Sequence, residues 1–474
     1  MNKNKYLKIF GVTEAQMKQL VGEGLKGGGS WCDLYFENTL TCDLLLRDGS
    51  VSSGAANESY GCGIRVLQNG KTAYAYSEST AWRELLRAAR AVCGIASSGS
   101  NIPPIAAHKA DTKSGGQYYP IKTDWREKSA AEFVSALQKL DNAIRSKDSR
   151  VQKVIAILSY SMSDIMMYNS LGELTCDTKP MGSLAASVIF MQNGKSETKS
   201  VSRSFRMGAE MIGDALIEEL ADMAVEGLDA SFEARRPKGG EMPVVMAAGA
   251  SGILLHEAMG HAFEADFNRK GQSIFADKMG KRVAKRGINI IDDATIPGNR
   301  GALNYDDEGV TGQKTYMVED GVLKSYLHDR ISAEHFGVAP TGNGRRESFR
   351  YNPIPRMRCT YMESGSDGTL QDLIGSVRKG IFVDQFANGQ VKIGEGDFSF
   401  YVKSGYTIVN GRLDMPVKDI NIIGNGPKAL ADITAVAGDL KIDDSTWTCG
   451  KEQSVSVSCG IPSVLVKKLT VGGI

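Results

Sequence analysis

The sequence predicts an α+β protein: an N-terminal domain of antiparallel sheets with flanking helices, then a C-terminal β-rich domain carrying one short histidine-bearing helix. Three observations predict it. Alternating apolar stretches are joined by Asp-Gly and Asn-Gly pairs, the turn chemistry of two-residue hairpins. Four stretches of the first half switch to helical period. Past Phe232–Gly240, charged and rich in Pro and Gly, the chain becomes a series of short strands punctuated by glycine.

Taken in order, Thr13-Glu-Ala-Gln has a capping-box pattern and leads into Met17, Leu20, Val21 and Leu25 at helical spacing, ended by Gly27-Gly28-Gly29. Residues 34–47 and 61–76 read as strands, with turns at Asp48-Gly49 and Asn69-Gly70. Thr80–Ile95 is helical, with Trp82, Leu85, Leu86, Ala89 and Val92 along one face. A linker follows over Ser97–Tyr119, then a helix over about 129–146 and strands over 151–160, 165–168 and 183–191. The Gln-Asn-Gly-Lys turn at 192–195 echoes the one at 68–71, which suggests two related halves, about 1–100 and 120–235. A helix over about 209–228 closes an expected domain of residues 1–235. In the second domain, 240–474, the uncharged run Met242–Leu255 reads as a buried strand, and Glu319-Asp320-Gly321, Ala387-Asn388-Gly389 and Val409-Asn410-Gly411 read as hairpins of a sheet or barrel.

At 474 residues the chain is long enough for two or three substantial cores. Its 42% hydrophobic and 23% charged content is that of a folded enzyme rather than a disordered chain. A net charge of +1 gives direct nucleic-acid binding no support. No apolar core follows the lysines of Met1–Phe10, so no secretory signal is expected, and no run is long enough to span a bilayer as a helix. Eight scattered cysteines without a CxxC pair fit reduced thiols in the cytoplasm.

The chemistry centres on His256-Glu257-Ala-Met-Gly-His261. With only five histidines in the chain, a chance HExxxH is expected in roughly a few per thousand chains of this composition. Satisfied core or helix-end histidines are the structural alternative. Functionally, two imidazoles hold Zn2+ and Glu257 takes a proton from the water that attacks a carbonyl. The spacing is one residue longer than HExxH. On a regular helix, residues five apart lie about 140° apart and cannot face one metal, so a π-bulge at Met259-Gly260 or a helix end there is required. Glu264 and Asp266 are candidates to orient the imidazoles. A catalytic zinc usually has three protein ligands, and spacing leaves the third open among Glu264, the cluster Asp306-Asp307-Glu308, His328, His335 and the cysteines.

The segment from His256 to Asp266 resembles the metal-site motif of the TldD/PmbA family, once called modulators of DNA gyrase, and specifically its TldD branch. Further blocks resemble the family in the same order: Gly63-Ile-Arg-Val-Leu67, Asn169-Ser-Leu-Gly172, Asn304–Val310, Gly321–Arg330, Thr341–Arg345, Pro355-Arg356-Met357, Gly396–Phe400 and Thr448-Cys449-Gly-Lys-Glu-Gln453. The resemblance implies a metallopeptidase with one zinc ion per active subunit. It further implies His256, His261 and Cys449 as ligands and Glu257 as general base. Cys459, ten residues on, lies outside the Cys-Gly-Lys block. Arg345, Arg346, Arg350 and Arg356 suggest recognition of a carboxylate or a peptide backbone, solvated surface being the alternative. Flexible peptides or unfolded proteins are the implied substrates, with main-chain pairing to a strand near the metal. A homodimer, or a heterodimer with a related subunit lacking the metal site, is implied as well. The competing reading is a non-catalytic partner of DNA gyrase or of a toxin–antitoxin system. An intact Glu257 between two ligands argues against it.

Overall fold

One antiparallel sheet organises the N-terminal half, and its strands send alternate side chains to two different partners. The computed structural model describes residues 3–93, 111–112 and 116–473; most of the linker expected over Ser97–Tyr119 lies outside the described residues. Helices α1 (Lys3–Phe10) and α2 (Glu14–Leu25) precede β1 (Trp31–Arg47), β2 (Ser50–Gln68) and β3 (Lys71–Ser77), and α3 (Trp82–Cys93) follows. Helix α4 (Ala130–Lys147) then precedes β4 (Val151–Asn169), β5 (Glu173–Gln192) and β6 (Lys195–Phe205), and α5 (Asp214–Val225) follows. The strands run β3-β2-β1-β4-β5-β6, with a short parallel pairing of Asp111–Thr112 on the start of β5.

Capping explains where several helices begin. Thr13 and Ser129 both form complete capping boxes, with Gln16 and Glu132. Period-two alternation explains the two faces of the sheet. On β1, Cys32, Leu34 and Phe36 join the core under α1, α2 and α3, whereas Tyr35 packs with Ile165, Met167, Tyr305 and Phe349 against the C-terminal half. The turns behave as their dipeptides require. Both residues of Asp48-Gly49, Asn69-Gly70, Asn193-Gly194, Asp320-Gly321 and Asn410-Gly411 have positive φ.

The C-terminal half combines a barrel with a second sheet. Strands β7 (Gly240–Met246), β11 (Lys379–Lys392), β12 (Asp397–Val409), Ile420–Asn425 and β16 (Val464–Gly473) pair in a closed ring, because β11 bonds both β7 and β12. Beside it, β8 (Ile290–Asp293), β9 (Lys314–Glu319), β10 (Cys359–Met362) and β15 (Ser458–Ile461) form a sheet with Val322–Leu323 and Lys441–Asp443 at its edges. The hairpin of β13 (Thr448–Lys451) and β14 (Gln453–Ser456) stands apart from both.

Several expected elements have other boundaries. The two strands expected over 151–160 and 165–168 are one, β4, because the polar residues between them are bonded on both sides, Ser163 facing Thr39 and Lys179. The helix expected over 209–228 is shorter, with a 3-10 turn at Ala209–Met211 before α5 and a restart at Leu228–Glu233. Met242–Leu255 is not one strand. Strand β7 stops at Met246, Gly249 turns the chain at φ 92°, and Ile253–Leu255 already form the first helical turn; a short apolar run does not by itself distinguish a strand from a buried helix. Ala387-Asn388-Gly389 is a bulged stretch inside β11 rather than a hairpin, since Asn388 and Gly389 pair with Tyr401 and Phe400.

Candidate metal centre

Apart from His256, Glu257 and His261, the histidine helix is apolar, as a helix buried on most of its surface must be. Ile253, Leu254, Leu255, Ala258, Met259, Ala262 and Phe263 all sit in the core shared by the barrel and the second sheet. Its start is pressed against β15. Gly249 donates its N–H to the Ile461 carbonyl, and a Cβ on Gly252 would lie 2.6 Å from the Gly460 nitrogen.

At His256–Gly260 the helix widens to a π turn, in which the His261 N–H donates to the His256 carbonyl five residues back. That turn overcomes the angular separation of a regular helix and places both imidazoles on one side, ring centroids 5.2 Å apart. Gly260 has ordinary helical torsions, φ −56° and ψ −50°, so backbone freedom is not why glycine is there. The reason is space. A Cβ on it would lie 2.0 Å from Met357 Sδ. A 3-10 turn follows at His261–Phe263, and Glu264 is extended, which returns its carboxylate to His261.

Cys449, on β13, meets the two histidines with its Sγ 3.2 Å from His261 Nε2. His256, His261 and Cys449 are buried, and their donor atoms all lie within 4.8 Å of one another. Burial opposes ionisation of the thiol, but the charges and hydrogen bonds of His256 and His261 bring it down to about 4, and the thiolate is the metal-binding form. A thiolate and two imidazoles converging on one point match the donor chemistry of zinc. Among the described residues, the His256 Nδ1 is buried without a hydrogen-bond partner. Glu257, between the two histidines in sequence, is half-buried, and its carboxylate forms no hydrogen bond or ion pair among the described residues.

The next layer locks this arrangement. Glu264 Oε2 lies 3.0 Å from His261 Nδ1 and 3.1 Å from Lys451 Nζ, and Oε1 lies 3.6 Å from Arg356 Nε. Burial pushes that carboxyl up, yet Lys451 and then His261 hold it at about 2. Asp266 does not touch an imidazole; it grips Lys451 at 2.7 Å. Arg356 donates to the Cys449 carbonyl at 2.6 Å and the Gln453 carbonyl at 2.6 Å. Arg345 donates to the carbonyls of Met357 and Ser456. The role of Lys451 went unread in the sequence, although it lies two residues past Cys449 in the same block.

The other candidates for a third ligand lie elsewhere. His328 is buried among Tyr326 and Phe336, and burial pushes it down to about 4. His335 is exposed. Asp307 pairs with Lys179, and Glu308 with Arg65, which also binds Asp33 across the β1–β2 pairing. These ion pairs join the two halves of the molecule. Cys459 is buried in β15, and burial raises its thiol well above the usual range. Among the described residues, no helix is long and apolar enough to cross a membrane.

Comparison with known proteins now bears on this geometry. Residues 32–96, 123–230 and 239–473 match the models of PmbA/TldA metallopeptidase domain 1, central domain and C-terminal domain. A Haemophilus influenzae protein called "Metalloprotease TldD homolog" is 37% identical over 452 residues, covering 94% of this chain and 93% of that one. The chain belongs to the TldD/PmbA metallopeptidase family. A second family relative, from Saccharolobus solfataricus, called "Zinc metalloprotease TldD homolog", is 37% identical over 239 residues, half of this chain and 53% of that one. The family fold is also that of TldE from Thermococcus kodakarensis, with a TM-score of 0.74 at 18% identity, covering 97% of this chain and all of that one.

Proposed function

We propose that this TldD/PmbA-family chain is a zinc-dependent endopeptidase that hydrolyses flexible or unfolded peptides, with His256, His261 and Cys449 as ligands and Glu257 as general base. One observation carries the reading: the π turn brings both imidazoles to the Cys449 thiol, while the Glu257 carboxylate has no hydrogen bond or ion pair among the described residues. Zinc, when bound, supplies Lewis acidity to water and to the scissile carbonyl. Glu257 accepts the proton of the attacking water and returns it to the leaving amine. Glu264 holds the His261 ring through Nδ1, which directs Nε2 toward the thiol. Among the described residues, no fourth His, Cys, Asp or Glu completes the group, which suits a catalytic rather than a closed structural site.

The test is zinc content and peptide cleavage for the wild type and Glu257→Ala. Retained zinc with lost cleavage supports the reading. Unchanged cleavage removes Glu257 as base, and a zinc-loaded wild type that cleaves no unfolded protein or peptide overturns the peptidase assignment.

A further inference from the structure

Between the inner face of the N-terminal sheet and the C-terminal half lies a cavity of about 210 Å³. Thr39, Thr41, Ser161 and Ser163 of β1 and β4 form its polar floor, and the cations Lys179, Arg206, Arg345 and Arg346 stand around it with the carboxylates of Glu37, Asp307 and Glu347; Glu37 accepts from Thr39 and the Phe349 N–H, and Glu347 from the Ser454 N–H. Two of these cations are accounted for by the chain itself. Lys179 is paired with Asp307 at 2.6 Å. Arg346 lies over the Tyr35 ring and 3.8 Å from Asp33, although its Nε is buried without a partner.

Arg206 and Arg345 are different. Both are buried, at 7% and 4% exposure, and neither has a carboxylate within ion-pair distance among the described residues. Arg206 donates to the carbonyls of Arg300 and Pro180, and Arg345 to those of Met357 and Ser456. A guanidinium has five N–H donors, so each retains capacity toward the cavity. Burial, and then the Arg206 charge, push Arg345 down to about 9. Asp307 acts on both guanidiniums only at longer range; burying a charge without a counter-charge in contact is costly, and an anion supplied from outside relieves that cost.

The cavity is also next to the chemistry. Val455 lines it and is the direct cross-strand partner of Cys449, and facing residues in such a pair are about 5 Å apart. We propose that this cavity binds a carboxylate of the peptide substrate through Arg206 and Arg345, within about three residues of the cleaved bond at the rise of an extended chain. The proposal rests on the peptidase reading for its substrate but not for its binding site. Guanidinium and carboxylate match in a two-point geometry that a lysine or a neutral amide does not reproduce.

The probes are octapeptides in which a single Glu is moved along the chain, each with a Gln counterpart, and each with a free or an amidated C-terminus. With zinc-loaded wild type, at least one carboxylate peptide is expected to exceed its neutral counterpart in kcat/KM by about tenfold, the lower end of what a charge-assisted hydrogen bond contributes. A preference tied to one Glu position assigns an acidic side chain, and one tied to the free C-terminus assigns the chain end. Parity across the whole set overturns the proposal. Arg206→Met is expected to abolish the preference. Should that variant fail to fold, Ser163→Glu places a carboxylate in the cavity and is expected to abolish the preference and raise Tm. A preference that survives Ser163→Glu overturns the proposal. Calorimetry of the Glu and Gln peptides on Glu257→Ala reads the site without turnover. Tighter binding of a carboxylate peptide there supports the cavity assignment even where no peptide is cleaved, and equal binding overturns it.

Discussion

The Lys451 ammonium lies 3.1 Å from the Glu264 carboxylate, so the strand bearing Cys449 and the turn bearing His261 share one ion pair. Neither residue is placed to bind the metal itself; together they fix how the thiol meets the imidazoles. Glu264→Gln keeps the shape but loses the charge. Metal affinity, measured by competition with a chromogenic chelator, is expected to fall by about 10- to 100-fold, the usual effect of removing such a support. The His261 Nδ1–H then faces a neutral amide whose carbonyl is a weaker acceptor than the carboxylate, and Lys451 loses its counter-charge. Unchanged affinity would show that the cysteine strand docks without this carboxylate.

Cys449→Ser replaces a soft thiolate by a weakly acidic hydroxyl and is expected to abolish stoichiometric zinc binding at neutral pH, whereas Cys459→Ser is expected to retain it. Metal analysis after dialysis distinguishes the two. The contrast follows from position, since only Cys449 lies with His256 and His261.

Gly260→Ala is expected to destabilise the fold by about 1–3 kcal/mol through overpacking against Met357. Thermal unfolding of the variant checks this. Pairing it with Met357→Ala is expected to recover part of the loss, because the added methyl then has room. A Gly260→Ala protein with wild-type Tm and zinc content would show that Met357 moves aside freely.

His328 sets an acid limit on stability that is separate from the metal. Burial lowers its pKa from 6.5 to about 4, so between those values the unfolded chain takes up a proton that the folded chain refuses. Stability therefore falls as pH drops from about 6.5 to about 4, by up to about 3 kcal/mol. His328→Phe is expected to flatten that part of the urea-midpoint profile. A slope identical to wild type would assign the loss to other groups.

Arg65→Ala leaves Asp33 and Glu308 buried without their shared cation. A loss of about 3–5 kcal/mol is expected, the usual cost of breaking a buried pair from one side. Denaturant unfolding measures it, and the loss is expected to exceed that of Lys26→Ala, an exposed side chain just past α2 whose partner Glu23 lies three residues back.

Much of the architecture is legible in the sequence. The capping box at Thr13, five of the six expected Asn-Gly or Asp-Gly turns and the alternation along β1 are local signals that folding left in place; the sixth, Asn388-Gly389, became a bulge within a strand. Two of the misread segments have separate causes. Met242–Leu255 is apolar throughout and so carries no periodicity to separate strand from helix, while the polar residues near Ser163 look like a loop until strands are known to flank them on both sides.

The histidine pair, the glutamate between them and the need for a distorted turn are all written in the sequence, because five-residue spacing is incompatible with a regular helix whatever surrounds it. The sequence also carried the Cys-Gly-Lys block, though only by resemblance. Tertiary structure alone decided that Cys449, 188 residues beyond His261, stands 3.2 Å from its ring, that Gly260 is required by Met357, and that Arg206 and Arg345 share one cavity. The reason is physical. Helix periodicity acts over a few residues, whereas the meeting of remote side chains depends on how the barrel closes and where the Cys449 hairpin docks.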